Sequence, residues 1–198
     1  MAGISAILLA AGESKRMGTM KALLPWKGST LLEYQVTTLM DAGVDEICLV
    51  VGHKHEEVGN PVKGTSGLKL VVNENYMEGK TTSIKTGLNV IDPATETILI
   101  LSVDQPRTSE ILSTILKSHK STDKLITYPT YKNKGGHPII FNSKLRPDLN
   151  NINEAHEGLR EITHKYSHTI NLVPFDSVIV TLDLNAPHNF KEAVELFA

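Results

Sequence analysis

Ile4-Ser5-Ala6-Ile7-Leu8-Leu9-Ala10-Ala11-Gly12-Glu13-Ser14-Lys15-Arg16-Met17-Gly18 is the stretch that decides the fold. Its first half is an almost unbroken apolar run, the pattern of a strand covered on both faces rather than one with a wet side. Its second half turns abruptly to glycine, serine and cations. A buried strand that empties into such a loop delivers it to the carboxyl end of the sheet, where open α/β folds bind their ligands. Gly12 permits a tight turn and close backbone approach, and successive amide N–H groups there can face an anion. Arg16 and, three residues past Gly18, Lys21 add positive charge. A solvated loop with ordinary surface cations is the plain alternative, but small residues and charges coincide here in the way a triphosphate requires.

A strand buried on two faces needs neighbours, and short β-rich runs recur at 4–9, Glu46–Val51, Leu68–Val72, 97–103 and 124–128. Segments of helical period separate them. Thr30 and Glu33 have capping-box spacing, Leu32, Val36, Leu39 and Met40 make an inward stripe, and Gly43 marks a stop. Helices are expected at 81–90, with Ile84 and Leu88 inward, and at 108–119, with Ile111, Leu112, Ile115 and Leu116 inward. Further on, the pattern predicts a turn at Gly135 and Gly136, a strand at 138–141, a helix around 157–166 and a strand near 177–182. A last helix opens at Pro187 and buries Phe190, Ala193, Val194 and Phe197. Residues 59–67, rich in glycine and proline, read as a surface loop. The alternation points to one domain, residues 1–198, with a three-layer α/β architecture and a mostly parallel central sheet.

Composition narrows the function classes. The chain has 198 residues, 40% hydrophobic and 21% charged, with 20 basic against 22 acidic residues and a formal charge of −2. That balance favours neither nucleic acid nor an anionic membrane as partner, so an anionic ligand must be held by a local cluster. No apolar run approaches the roughly 20 residues needed to span a bilayer. The segment before Ala11 lacks the basic start of a secretory signal, and a cytoplasmic location is expected. The single cysteine, Cys48, lies inside an apolar run and reads as a small buried hydrophobe. The histidines lack zinc spacing, and His53 and His55 read as solvent-exposed.

Two common phosphate loops are absent. The dinucleotide fingerprint requires glycine where Ser14 stands, and Gly79-Lys80-Thr81 lacks the earlier glycine of a P-loop, because Glu74 occupies that position. More informative is Ile98-Leu99-Ile100-Leu101-Ser102-Val103-Asp104-Gln105-Pro106, an apolar strand ending in a carboxylate. Asp104 would point into the same crevice as the glycine-rich loop and could hold Mg²⁺ whose other ligands are water and phosphate. Capping of the next helix is the alternative, though Thr108 is better placed for it. Leu182-Asp183-Leu184-Asn185-Ala186-Pro187 repeats the design, so Asp183 or Asn185 could add a second oxygen, with an N-cap before Pro187 as the competing role. His137, in Gly135-Gly136-His137-Pro138, sits on a turn able to reach the crevice.

Together these segments resemble the MobA-like nucleotidyltransferases, and within them the molybdenum cofactor cytidylyltransferase branch. The matching positions are the L-A-A-G-x-S-x-R-M-G loop with Lys21, Gly79 with Ser83 and Gly87, Asp104-Gln105-Pro106, Gly136-His137-Pro138, Gly158 with Arg160, and the segment from Asp183 to Pro187. They fall in the family's order over almost the whole chain. The resemblance implies a Rossmann-like fold in which Leu9, Ala10, Ala11, Gly12, Ser14, Arg16, Gly18 and Lys21 bind a nucleoside triphosphate, CTP favoured, with Gly79, Ser83 and Gly87 near its base or ribose. It implies Mg²⁺ at Asp104 and Asn185, with Arg16, Lys21 and Asp104 as the catalytic set. Gln105, Gly136, His137 and Arg160 would face a molybdopterin acceptor, and a molybdoenzyme or its maturation factor would be a transient partner. Two departures stand out: His156-Glu157 where relatives often carry Gly-Asp, and Asn185 in place of the usual second acid. Open alternatives are another base or acceptor, such as GTP with molybdopterin or a sugar or polyol phosphate, and a nucleotide-binding protein without turnover.

Overall fold

The run that opens the chain forms strand β1 (Ile4–Ala10), buried at every position. Period-two geometry sends Ile4, Ala6, Leu8 and Ala10 into one hydrophobic cluster and Ile7 and Leu9 into another, one on each face of the sheet. The structure, a computed structural model, describes residues 3–197. After β1 come a small hairpin, β2 (Pro25–Trp26) and β3 (Ser29–Thr30), then α1 (Leu31–Asp41), β4 (Glu46–Val51), α2 (His55–Gly59), β5 (Leu68–Val72), α3 (Lys80–Leu88), β6 (Thr97–Ser102) and α4 (Ser109–Lys120). The second half adds β7 (Ile126–Tyr131), β8 (Lys134–Gly135), β9 (Ile139–Asn142), α5 (Arg146–Asn151), α6 (Leu159–Lys165), β10 (Ile170–Pro174) and α7 (Pro187–Leu196).

The main sheet runs β10-β7-β9-β6-β1-β4-β5, with β8 folded back on β7. β1 pairs in parallel with β4 and β6, so Ile7 faces Cys48 on one side and Ile100 on the other. β9 is antiparallel to both β6 and β7, while β10 runs parallel to β7. One face is covered by α1, α4 and α7 through Leu32, Val36, Leu39, Leu112, Ile115 and Ala193. The other is covered by α3, α5 and α6 through Ile84, Leu88, Leu149 and Ile162. This is the expected three-layer, mostly parallel α/β fold. Among the described residues no helix is long and apolar enough to cross a membrane.

Local chemistry starts the helices where the sequence places them. The Thr30 hydroxyl accepts the Glu33 amide at 3.2 Å and the Glu33 carboxylate accepts the Thr30 amide at 2.8 Å. The same Thr30 hydroxyl and amide hold the Glu33 carboxyl below the usual carboxylate range. Trp26 packs edge-on against Phe197 at 5.1 Å between ring centroids and lies 5.8 Å from Phe190, which fixes α7 against the first layer.

In the elements and their packing, the structure corrects the sequence reading in three places. Residues 177–182 do not form a strand: Val178–Thr181 is a 3₁₀ turn, opened by the Ser177 hydroxyl accepting the Ile179 amide. β-branched residues suit either state, and the local side-chain bond selects the turn. The edge strand beside β7 is instead β10, which the sequence reading passes over because half of it faces solvent, Leu172 being 53% exposed. In α7, Ala193 and Phe197 are buried and Phe190 partly so, but Val194 points outward at 46% exposure, one residue off the inward stripe.

Candidate active site

The loop after β1 closes on itself. Ser14 adopts a left-handed φ of 55°, a 3₁₀ turn spans Lys15–Met17, and Gly18 at φ 68° ends it. The Ser14 hydroxyl accepts the Lys21 amide at 3.1 Å, so the two ends of the loop hold each other over the sheet's carboxyl edge. Leu9, Ala10, Ala11, Gly12, Ser14 and Lys21 line a cleft of about 260 Å³ together with Tyr76, Gly79, Lys80, Ser83 and Asp104. Ser83 is fixed there by accepting from the Asn73 amide at 2.9 Å. Arg16 and Gly18 belong to the exposed arm of the loop. Gly87 is not at the cleft: a Cβ added to it would lie 2.5 Å from Cγ2 of Ile7, so its lack of a side chain serves the approach of α3 to β1.

Three distant segments converge at Lys21. Its ammonium donates to Oδ2 of Asp104 at 2.7 Å and to Oδ1 of Asn185 at 2.9 Å, and the Arg16 guanidinium donates to the same Asn185 oxygen at 3.3 Å. The backbone holds this geometry, since the Leu184 amide donates to the Asp104 carbonyl at 2.8 Å. Gln35, buried in α1, donates to the Gln105 carbonyl at 2.9 Å. Gln105 itself is 5% exposed; its amide oxygen accepts the Ser102 amide and its nitrogen donates to Oδ1 of Asp183 at 2.7 Å. Expected at an acceptor, Gln105 instead ties the strand end to the C-terminal segment. Asn185 stands beside Asp104 because both accept from Lys21, while Asp183 gives one of its two carboxylate oxygens to Gln105.

Asp104 and Asn185 therefore offer two hard oxygens around one positive charge. Among the described residues no group of three or more His, Cys, Asp or Glu side chains forms a metal cage. Such a sparse pair fits a cation that brings phosphate and water as its remaining ligands, as Mg²⁺ does, better than a dedicated protein site.

Lys80 also lines a second chamber of about 430 Å³, together with Tyr128, Gly136, His137, Glu154, Gly158 and Arg160 among others. Gly136 is required by contact: an added Cβ would fall 2.1 Å from the Val180 carbonyl oxygen, which accepts the His137 amide at 2.9 Å. The His137–Pro138 peptide is cis. Burial, then Lys80 and Arg107, push the His137 imidazole down to about 3 against the pull of Asp104, so it is neutral near pH 7. Arg160, exposed, stands at the start of α6.

Three residues that sequence reading missed complete the site. Arg107 is fully buried and donates to four carbonyls: His137 at 2.7 Å, Pro106 at 2.7 Å, Leu182 at 3.1 Å and Val180 at 2.9 Å. It links the Asp104 loop, the Gly136 turn and the Asp183 segment, and its place directly after Asp104-Gln105-Pro106 is the only sequence signal. Glu154 accepts the Thr81 amide at 2.7 Å at the N-terminus of α3. Lys80 lines both chambers; dismissal of a P-loop at Gly79-Lys80-Thr81 removed the glycine pattern but not the cation. Cys48, as expected, is buried, and that burial pushes its thiol up to about 12.

Comparison with known proteins agrees with this architecture. A family model described as the MobA-like NTP transferase domain matches residues 6–170. The molybdenum cofactor cytidylyltransferase of Escherichia coli K12 is 26% identical, over 100% of this chain and 98% of that protein. The nicotine blue oxidoreductase of Paenarthrobacter nicotinovorans is 29% identical over 86% of each. The crystal structure of Rv0371c from Mycobacterium tuberculosis H37Rv superposes with a TM-score of 0.85 at 25% identity, covering 98% of both chains. With the family model spanning most of its length and the layers, strand order and crest loop that such a fold requires, the chain belongs to the MobA-like NTP transferase family and is a nucleotidyltransferase.

Proposed function

We propose that the protein transfers CMP from CTP to the terminal phosphate of molybdopterin, releasing pyrophosphate, with Mg²⁺ at Asp104 and Asn185. The observation that carries this reading is the convergence of Lys21, Asp104 and Asn185 at a cleft that shares Lys80 with a second chamber. Its resemblance to the E. coli cytidylyltransferase, which extends over the full chain, supports CTP and the pterin acceptor.

The loop amides after Ala10 face the triphosphate, and Lys21 and Arg16 neutralise it. An acceptor phosphate oxygen attacks the α-phosphorus while the bond to the β-phosphate oxygen breaks, and the departing electron pair leaves with pyrophosphate. Two polyanions must meet in this reaction, so alignment and charge neutralisation matter more than a strong base. The acceptor phosphate is already largely deprotonated at neutral pH, and the neutral His137 ring adds no charge to it. Bound Mg²⁺ would supply further neutralisation between the phosphates. Asp104, held by Leu184 and the Gln35–Gln105 contacts, presents its oxygen without rearrangement of the strand end.

Pyrophosphate release with Mg²⁺ and molybdenum-loaded molybdopterin, offering CTP, GTP, ATP and UTP in parallel, tests the reading. Release with CTP alone is expected. Release with GTP would change the base, and silence with all four would refute the acceptor. The name of the oxidoreductase relative raises a dinucleotide alternative, but Ser14 interrupts the glycine fingerprint it would need.

A further inference from the structure

Lys80 is the first residue of α3, directly after Gly79 at φ 117°. A cation is electrostatically misplaced at that end of a helix, where the unpaired amides already carry partial positive charge. Among the described residues its ammonium makes neither a side-chain hydrogen bond nor an ion pair, whereas Lys21 is engaged by Asp104 and Asn185. Lys80 is exposed, and desolvation by neighbouring protein still lowers its proton affinity despite Asp104, Asp183 and Glu154 nearby. It is also the residue common to the walls of both chambers.

One of the first-turn amides of α3 is occupied, because Thr81 N–H donates to Glu154. The Lys80 ammonium is the positive charge left for a ligand at this border. The second chamber also carries the carboxylates of Glu154 and Glu157, so it is not uniformly basic and a phosphate is favoured only beside a cation.

We propose that Lys80 binds the phosphate of the acceptor where the two chambers meet, making it a catalytic residue that selects an anionic phosphomonoester over the same molecule with a free hydroxyl. The proposal rests on the transfer reaction described above and assigns a residue to the phosphate that the second substrate carries. A phosphomonoester bears about −1.5 to −2 charges near pH 7, and a free ammonium at the junction offsets them as the attacking oxygen approaches the triphosphate.

The test is anaerobic equilibrium binding of CTP, of molybdopterin and of dephosphorylated molybdopterin to the wild type, Lys80→Met and Lys80→Arg. Methionine keeps length and helix propensity while removing charge, and an unchanged or raised urea midpoint establishes that the variant is folded. Expected are at least a tenfold wild-type preference for the phosphorylated acceptor, collapse of that preference in Lys80→Met, its recovery in Lys80→Arg, and CTP affinity within twofold throughout. A preference retained by Lys80→Met, or absent from the wild type, overturns the proposal; a matching loss of CTP affinity overturns it by moving Lys80 to the triphosphate. CTP binding without pyrophosphate release would sink the proposed transfer, while the acceptor preference still reads the role of Lys80 separately.

Discussion

Gly87→Ala separates packing from ligand contact, because the resemblance puts Gly87 near the base whereas the structure puts it against Ile7. The new methyl group would lie 2.5 Å from Cγ2 of Ile7 and 3.2 Å from its Cγ1 and Cδ1. Ile7 cannot turn aside: it is 0% exposed, β-branched, and flanked in register by Cys48 and Ile100. The helix must therefore move outward, at an overpacking cost of about 1–3 kcal/mol. Replacing a helical glycine by alanine returns about 1 kcal/mol of propensity. The balance is a destabilisation of about 0–2 kcal/mol, or a Tm lower by up to roughly 8 °C for a chain of this size. Urea unfolding followed by circular dichroism would measure it. Ile7→Ala removes the obstructing atoms, so the double variant should be more stable than the sum of the two changes by at least about 1 kcal/mol. The KM for the triphosphate should stay within about twofold of wild type. Raised stability in Gly87→Ala, or additivity with Ile7→Ala, would refute the packing, and a KM about tenfold higher at unaltered stability would return Gly87 to the nucleotide.

Lys21→Ala and Asp104→Ala should each reduce turnover by at least about tenfold, about 1.4 kcal/mol of barrier, in a pyrophosphate assay; near-normal turnover would remove that residue from the mechanism. Thr30→Ala removes the cap of α1 and should cost about 1 kcal/mol in urea unfolding, while a change under about 0.3 kcal/mol would mean that the capping box contributes nothing there. Burial depresses the His137 imidazole to about 3 and lowers that of His119, so both are neutral in the fold and protonate more readily unfolded. Stability should then be full above about pH 6.5 and fall as pH drops below it, by at most about 1.4 kcal/mol per unit for each histidine. Solvent access at His137 reduces this slope. A urea midpoint unchanged from about pH 8 to about pH 5 would contradict that burial.

Much of the architecture is local enough to read from the chain. The continuous apolar run of β1 specifies a strand with two covered faces, and the Thr30–Glu33 spacing specifies a helix start, because both depend on residues close in sequence. Asp104 is legible for the same reason: a carboxylate ending a buried strand has one place to go. The half-exposed β10 carries too little apolar signal to be found, and the 3₁₀ turn Val178–Thr181 depends on a Ser177 bond that competes with strand pairing.

The sequence by itself determined the parallel α/β layers, the crest loop and the approach of Asp104 to it. Only the tertiary structure decided that Asn185 shares Lys21 with Asp104, that Gln105 faces inward and holds Asp183, that Gly87 serves packing, that Arg107 ties three segments together, and that Lys80 borders both chambers. These assignments depend on segments dozens of residues apart meeting at one edge of the sheet. Which oxygen faces the cleft and which is consumed by a neighbour is settled by packing and hydrogen-bond competition, neither of which spacing along a chain encodes.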